Sequence, residues 1–135
     1  MVWHADTALP AGTDLVVVPG GFSYGDYLRC GAIAARAPIM AAVRAHAERG
    51  GLLLGVCNGF QILCEAGLLP GALLVNEQLK FTCRQVLVTV EGTGSPFTSG
   101  FEPGEELSMP VKHTTGRWFA PLEVLEQVEV AGHVP

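Results

Sequence analysis

Apolar residues fall along this chain in two different rhythms, and the change between them divides it in half. Leu15-Val16-Val17-Val18-Pro19 is a β-branched run, polar on neither face, and Gly20-Gly21 ends it. Such a run predicts a strand of a parallel sheet that is covered on both sides. Across residues 38–49, Ile39, Ala42, Val43 and Ala45 recur at helical spacing against Arg44, Glu48 and Arg49, and Gly50-Gly51 supplies a stop. Leu52-Leu53-Leu54-Gly55-Val56 is a second buried run, and residues 58–66 read as a helix closed by Gly67. Strand, helix, strand, helix predicts right-handed crossovers and a parallel sheet between helices, hence an α/β fold.

The second half alternates instead. Over residues 81–90 the valines at 86, 88 and 90 share one face, and Gly92-Thr93-Gly94-Ser95-Pro96 is a turn-rich loop, a pattern of antiparallel strands. Residues 105–112 predict a strand, residues 121–127 a short helix begun by proline, and residues 128–134 a last extended segment. No internal repeat, low-complexity tract or linker-like shift interrupts the chain, so its 135 residues are expected to form one domain.

Composition narrows the function classes. An apolar content of 49 % with 16 % charged residues describes a core-rich protein rather than a disordered one. The net charge is -5 and no basic cluster exists to neutralise a run of phosphates, which argues against nucleic acid as a partner. No apolar stretch approaches the roughly 20 residues that span a bilayer, and residues 1–6 lack a basic-then-apolar leader. The expectation is a cytoplasmic protein without a membrane partner. Cys30, Cys57, Cys64 and Cys83 match neither a Cys-x-x-Cys metal knuckle nor a dense disulfide framework, so reduced thiols and no metal are expected.

The sharpest chemical signal is Gly55-Val56-Cys57-Asn58-Gly59, a small-x-nucleophile-x-small pattern where a buried strand turns into a helix. A nucleophile on such a turn sits in a strained backbone, and side chains at the flanking positions would collide with strand or helix. The turn also sets the thiol at a helix N-terminus, where unpaired amides and the helix dipole favour the anion that attacks. The plain alternative is that Cys57 is a small apolar residue in a tight turn. Pro19-Gly20-Gly21-Phe22-Ser23-Tyr24-Gly25-Asp26 leaves the preceding strand at the same edge of the sheet. A thiolate attacking an amide creates an oxyanion, and backbone amides aimed at it each contribute on the order of 3 kcal/mol. Gly21 and Asn58 are placed for this role, although the glycines of such a loop also serve simply to end a strand. Gln61, one turn after Cys57, presents its carboxamide on the same helix face and suits orientation of an amino-acid substrate; the alternative is an exposed surface glutamine. Cys64, two turns along, is too far for a disulfide and is expected in the core, with Cys30 and Cys83. Of the histidines a cysteine hydrolase would need as base, His46 lies on a charged helix face and His4 near the terminus, both expected to be solvated. His113 precedes a loop able to reach a ligand or partner, but neither that contact nor the base role is the leading expectation for it, and His133 has no recognisable setting.

Residues 19–26 with Gly55-Val56-Cys57-Asn58-Gly59-Phe60-Gln61 resemble the class I glutamine amidotransferases, whose elbow reads Gly-x-Cys-x-Gly-x-Gln. Residues 19–31, the elbow and Leu79-Lys80-Phe81-Thr82-Cys83-Arg84 are similar, more narrowly, to the glutaminase subunits of phosphoribosylformylglycinamidine synthase. The resemblance implies a flavodoxin-like three-layer sandwich, Cys57 as nucleophile, Gly21 and Asn58 as oxyanion hole, and Gln61, Gly20 and Phe22 as glutamine contacts. It further implies glutamine as substrate, and as partners a synthetase subunit carrying ATP and Mg and a small accessory subunit, with no cofactor in this chain. Val2-Trp3-His4 looks like the family's second strand. The family's catalytic His-Pro segment and its Glu have no match here, and His113-Thr114-Thr115-Gly116 stands where many members have His-Gly-Glu-Gly. The expectation is a chain short at both ends and inactive alone. The rival readings are a same-fold hydrolase of the intracellular-protease type and a non-catalytic docking scaffold.

Overall fold

The computed structural model describes residues 1–132 and 134, which gather into two compact units, Met1–Leu73 and Leu74–Pro135. In the first, strands β1 (Leu15–Val18) and β2 (Leu52–Gly55) pair in parallel, from Leu15 opposite Leu52 to Val18 opposite Gly55. Parallel neighbours cannot be joined by a tight turn. Helix α1 (Ile39–Glu48) lies in the connection, after two 3-10 turns at Ser23–Asp26 and Ala34–Arg36, and helix α2 (Asn58–Glu65) follows β2. The short strand β3 (Ala72–Leu74) stands at the division between the units.

Both helices form because their apolar residues share a stripe and glycine stops them: Gly50 and Gly67 lie just past their ends with φ of 81° and 68°. Met40 and Val43 of α1 and Ile62 of α2 bury against Ala34, Ala37 and Ala66, and Val16, Val18 and Leu53 of the sheet close this core. The Arg44 guanidinium donates to the Ala66 carbonyl, joining α1 to the end of α2. Because both helices serve one face, Leu15, Val17, Leu52 and Leu54 on the other are 37–50 % exposed. The two-sided cover expected from the apolar runs is therefore supplied on one side only among the described residues.

His46 corrects a second expectation. It is 5 % exposed, with Nε2 3.3 Å from the Leu52 carbonyl, not solvated. It lies one turn after Val43 on the buried stripe, and a Cβ at Gly51 would lie 2.2 Å from its ring, so the ring takes the space that this glycine leaves. Val2-Trp3-His4 is not a strand: the Trp3 amide donates to the Asp6 carboxylate at 2.7 Å and the Asp6 amide to the Trp3 carbonyl at 3.0 Å, which closes a turn. His4 is exposed as expected, yet its Nδ1 lies 2.9 Å from the Tyr24 hydroxyl.

In the second unit β4 (Thr82–Thr89) and β5 (Glu106–His113) pair antiparallel, Thr82 opposite His113 and Thr89 opposite Glu106. Strand β6 (Arg117–Phe119) and helix α3 (Leu122–Val130) follow. The helix runs through the start of the segment expected to be extended, because Val124, Leu125 and Val128 form a half-buried helical stripe that outweighs the local alternation. His133, near the end of that segment, lies outside the described residues. Asn76 is the buried hub of this unit. Its Nδ2 donates to the Lys80 and His113 carbonyls at 2.8 and 3.0 Å and to Thr82 Oγ1 at 3.2 Å. Its Oδ1 accepts from the Gly116 amide at 3.0 Å and lies 2.9 Å from His113 Nδ1. Cys83, on a two-stranded ribbon, is exposed and Cys30 is half-buried rather than in the core, whereas Cys64 is buried as expected. Among the described residues no helix is long and apolar enough to cross a membrane.

Two outcomes follow for the 135-residue chain. Leu63→Ala, at 2 % exposure, should lower stability in urea by about 3 kcal/mol, whereas Leu54→Ala on the open sheet face should cost under about 1 kcal/mol. Burial, with a smaller contribution from Glu65, pushes the Cys64 thiol up to about 11. Because the folded state favours the neutral thiol, this group's contribution is fully present below its ordinary value of 9.0 and is lost as pH rises through about 11. Cys64→Val should flatten the alkaline loss of stability in that window, measured by denaturant midpoints from pH 8 to pH 11.

Candidate active site

The site is built on two residues between β2 and α2. Cys57 adopts φ 53° and ψ -112°, a conformation a residue with a side chain rarely takes, and its side chain is exposed. Strain of this kind costs on the order of 1–3 kcal/mol and persists only where neighbouring structure enforces it. Here the enforcement comes from both sides. The Val56 amide continues the sheet by donating to the Val18 carbonyl at 3.0 Å, while the Gly59 amide turns back to the Val56 carbonyl at 2.8 Å. Phe60 and Gln61 donate to the Cys57 carbonyl at 3.1 and 3.3 Å.

The flanking glycines are demanded by contact, as the pattern predicts. A Cβ at Gly59 would lie 1.9 Å from the Val18 carbonyl oxygen, and one at Gly55 would lie 2.8 Å from both the Phe60 amide nitrogen and a Leu63 methyl. The helix thus starts against the end of β1, and the loop leaving β1 is brought to the thiol. A Cβ at Gly20 would sit 3.2 Å from Cys57 Cβ and 3.8 Å from Sγ, so this glycine is the loop's close approach to the sulfur. Gly21 follows with φ 152°, in space where a Cβ would meet nothing within 4 Å, and Phe22 is exposed. Among the described residues the Asn58 amide takes no backbone acceptor, as befits the first residue of a helix.

Three clamps hold the loop on α2. Arg29 binds Glu65 in a two-pronged ion pair, Nε to Oε1 and Nη2 to Oε2, both at 2.8 Å. Gly31 packs so closely that a Cβ would lie 2.8 Å from the Ile62 amide. Deepest is Asn58, whose side chain is 2 % exposed. Its Oδ1 accepts from the Ser23 amide at 3.2 Å and from the Ser23 hydroxyl, and its Nδ2 donates to Gln61 Oε1 at 2.8 Å and to Asp26 Oδ1 at 3.5 Å. Within the loop Tyr24, Asp26 and Leu28 all have φ between 55° and 69°, a strained course that these clamps support.

The structure therefore gathers Cys57, Asn58, Gln61, Gly20 and the residues on either side of Gly21 at the C-terminal edge of β1 and β2. Ser23 and Asp26 belong to the motif loop, but their tie to Asn58 spans 35 and 32 residues, a distance over which spacing carries no signal. Among the described residues no histidine is hydrogen-bonded to Cys57: His46 turns to Leu52, His4 meets Tyr24, and His113 lies in the second unit against Asn76. No group of three or more His, Cys, Asp or Glu side chains gathers in metal-binding fashion among the described residues.

Comparison with known proteins meets this geometry. A family model described as a CobB/CobQ-like glutamine amidotransferase domain matches residues 7–135, across both units. Phosphoribosylformylglycinamidine synthase subunit PurQ of Bradyrhizobium diazoefficiens is 64 % identical over 134 residues, covering 99 % of this chain and 58 % of that protein. The same subunit of Brucella suis is 56 % identical over 133 residues, 98 % of this chain and 60 % of the relative. Among solved structures, a chain of PurLQS from Thermotoga maritima superposes with a TM-score of 0.78 at 52 % identity, over 80 % of this chain and 51 % of that one. The chain spans little more than half the length of the relatives it matches. The α/β class and parallel pairing read from the sequence agree with this neighbour. A cysteine strained at a strand-to-helix turn, a glycine loop held against it and a match along nearly the whole chain lead to one assignment: the chain belongs to the CobB/CobQ-like glutamine amidotransferase domain family.

Proposed function

We propose that the full-length protein is the glutaminase component of a phosphoribosylformylglycinamidine synthase, and that its two units act as one amidotransferase domain. The observation that carries this reading is the strained, exposed Cys57 with the Gly20-Gly21 loop against it, in a chain 64 % identical to a subunit of that name. Glutamine enters at the sheet edge beside Gly20, Phe22 and Gln61. The Cys57 thiolate attacks the side-chain carboxamide carbon, and the amides of Gly21 and Asn58 receive the oxyanion. The C–N bond breaks, ammonia leaves with a proton from a general acid, and a thioester remains, which water hydrolyses to glutamate. Cytoplasmic ammonia transfer then follows to a synthetase subunit, which uses ATP and Mg to convert formylglycinamide ribonucleotide to the amidine, with a small accessory subunit in the complex. The His and Glu that move the protons belong, in this reading, to the part of the relatives' length that this chain does not span.

Three measurements test the proposal. In the full-length enzyme Cys57→Ala should abolish glutamine-dependent synthesis and leave ammonia-dependent synthesis intact; retained glutamine use would end the reading. A diazo-ketone analogue of glutamine should label Cys57, located by peptide mass spectrometry, in preference to Cys30, Cys64 and Cys83. Gly59→Ala, which drives a methyl into the Val18 carbonyl, should lower glutaminase activity at least about 100-fold through the displaced thiol.

A further inference from the structure

Near Gly21 the loop that leaves β1 is anchored unevenly. Gly20 packs on Cys57, where a Cβ would lie 3.2 Å from the cysteine Cβ. Gly21 has no such neighbour, since a Cβ there would meet nothing within 4 Å, and the Phe22 side chain is 80 % exposed. Ser23 is the next anchor along the chain. Its backbone amide and its hydroxyl both donate to Asn58 Oδ1, the amide at 3.2 Å. An amide nitrogen can only donate, so the end of the Asn58 side chain that meets it is the oxygen, whose two lone pairs match the two donors. Asn58 is 2 % exposed, so water cannot stand in for the carboxamide, and a Ser23 amide deprived of it would lose its partner. The tie at the next residue is weaker: the Tyr24 hydroxyl and His4 Nδ1, 2.9 Å apart, belong to exposed side chains, where water competes. Tyr24 and Asp26 both have φ of 55°, so the loop keeps this strained course only while a firm anchor holds it.

We propose that the Asn58 side chain is a positioning group for the oxyanion donor of the loop: by holding Ser23 from a buried place at the start of α2, it fixes the Gly21 amide toward the tetrahedral intermediate. This rests on the glutaminase reading above, in which the amides of Gly21 and Asn58 receive the oxyanion. One residue then serves both halves of the hole, with its own amide directly and with its side chain through Ser23. Gly21 is free of side-chain packing and is instead bracketed, by Gly20 on Cys57 and by Ser23 on Asn58. Such a donor is effective only if it is held in place before charge develops. The oxyanion exists only after the thiolate has attacked, so loss of the anchor slows the chemical step and spares ground-state binding.

The anchor is tested by steady-state glutamine hydrolysis in the full-length protein assembled with its synthetase subunit, beside the rate at which iodoacetamide alkylates Cys57, read by peptide mass spectrometry. In alkylation the thiolate displaces iodide from a saturated carbon, so an S–C bond forms, a C–I bond breaks and no oxyanion arises. That rate reports the thiol without the hole. Asn58→Leu keeps the backbone amide and the side-chain bulk but removes the acceptor, and kcat should fall about tenfold or more while alkylation stays within about threefold of the parent. Ser23→Ala removes the hydroxyl and touches neither Gln61 nor the thiol; kcat should fall about threefold or more with KM within about threefold, and this variant decides if Asn58→Leu does not assemble. In the Asn58→Leu background Ser23→Ala should add less than about twofold, because the acceptor it served is gone. The inference is overturned by a smaller fall in kcat in either single variant, by alkylation that slows in step with hydrolysis, as general damage to the elbow would cause, or by additive losses in the double variant. Cys57→Ala, assayed alongside, separates the two failures: glutamine hydrolysis that survives without the thiol ends the glutaminase reading itself, whereas its loss beside unaltered Ser23 and Asn58 variants ends this inference alone.

Discussion

Where α2 begins, its backbone passes so near the end of β1 that a single methyl group at Gly59 would overlap the Val18 carbonyl oxygen, at 1.9 Å. Most of the site depends on that approach. It lets the Val56 amide extend the sheet while the next residues already turn into helix, and it leaves Cys57 between the two in a conformation that neither element would impose alone. The same closeness delivers the loop after β1 to the sulfur, because the chain emerging from Val18 has nowhere to go but across the helix start. A strained cysteine, two glycines without room for a side chain and a glycine beside the thiol are one arrangement seen from four residues.

Each unit also rests on a buried asparagine that does the work of a small polar core. Asn58 ties the loop of the first unit to α2, and Asn76 ties the segment of residues 80–82 to the His113 and Gly116 turn of the second. Asparagine suits both places for the same reason: one planar group offers two donors and an acceptor with two lone pairs, so a single buried side chain satisfies several backbone groups that loops would otherwise leave unpaired. Fully used, such a group costs little to bury and rigidifies everything it touches. His113 shows the consequence. Its ring packs in the gap left by Gly116 and lies against Asn76, so the loop that follows it is anchored at its start.

The places where periodicity misled share a cause. His46, expected in solvent from the charged residues Arg44, Glu48 and Arg49 near it, lies one turn after Val43 on the buried stripe. The alternation after Gln127 read as extended, yet helical packing of Val124, Leu125 and Val128 carried α3 to Val130. The apolar runs at Leu15 and Leu52 were read as covered on both faces, while α1 and α2 cover one. In each instance a local pattern fixes what a residue prefers, and the neighbours available in space decide what it receives.

The elbow itself was legible in the sequence, since small residues on both sides of a nucleophile between a buried run and a helix express steric demands that act within five residues. So were β1, β2, β4, β5, α1 and α2 with the glycine stops of the two helices, which depend on contacts along a few turns of chain. The amide relay from Ser23 through Asn58 to Gln61, the grip of Arg29 on Glu65 and the strained course of residues 24–28 were not. The Ser23–Asn58 and Arg29–Glu65 ties join positions 35 and 36 residues apart and support the strained loop between them, and hydrogen bonds act over ångströms in space whatever the separation in sequence, so only the folded chain could decide which partners meet.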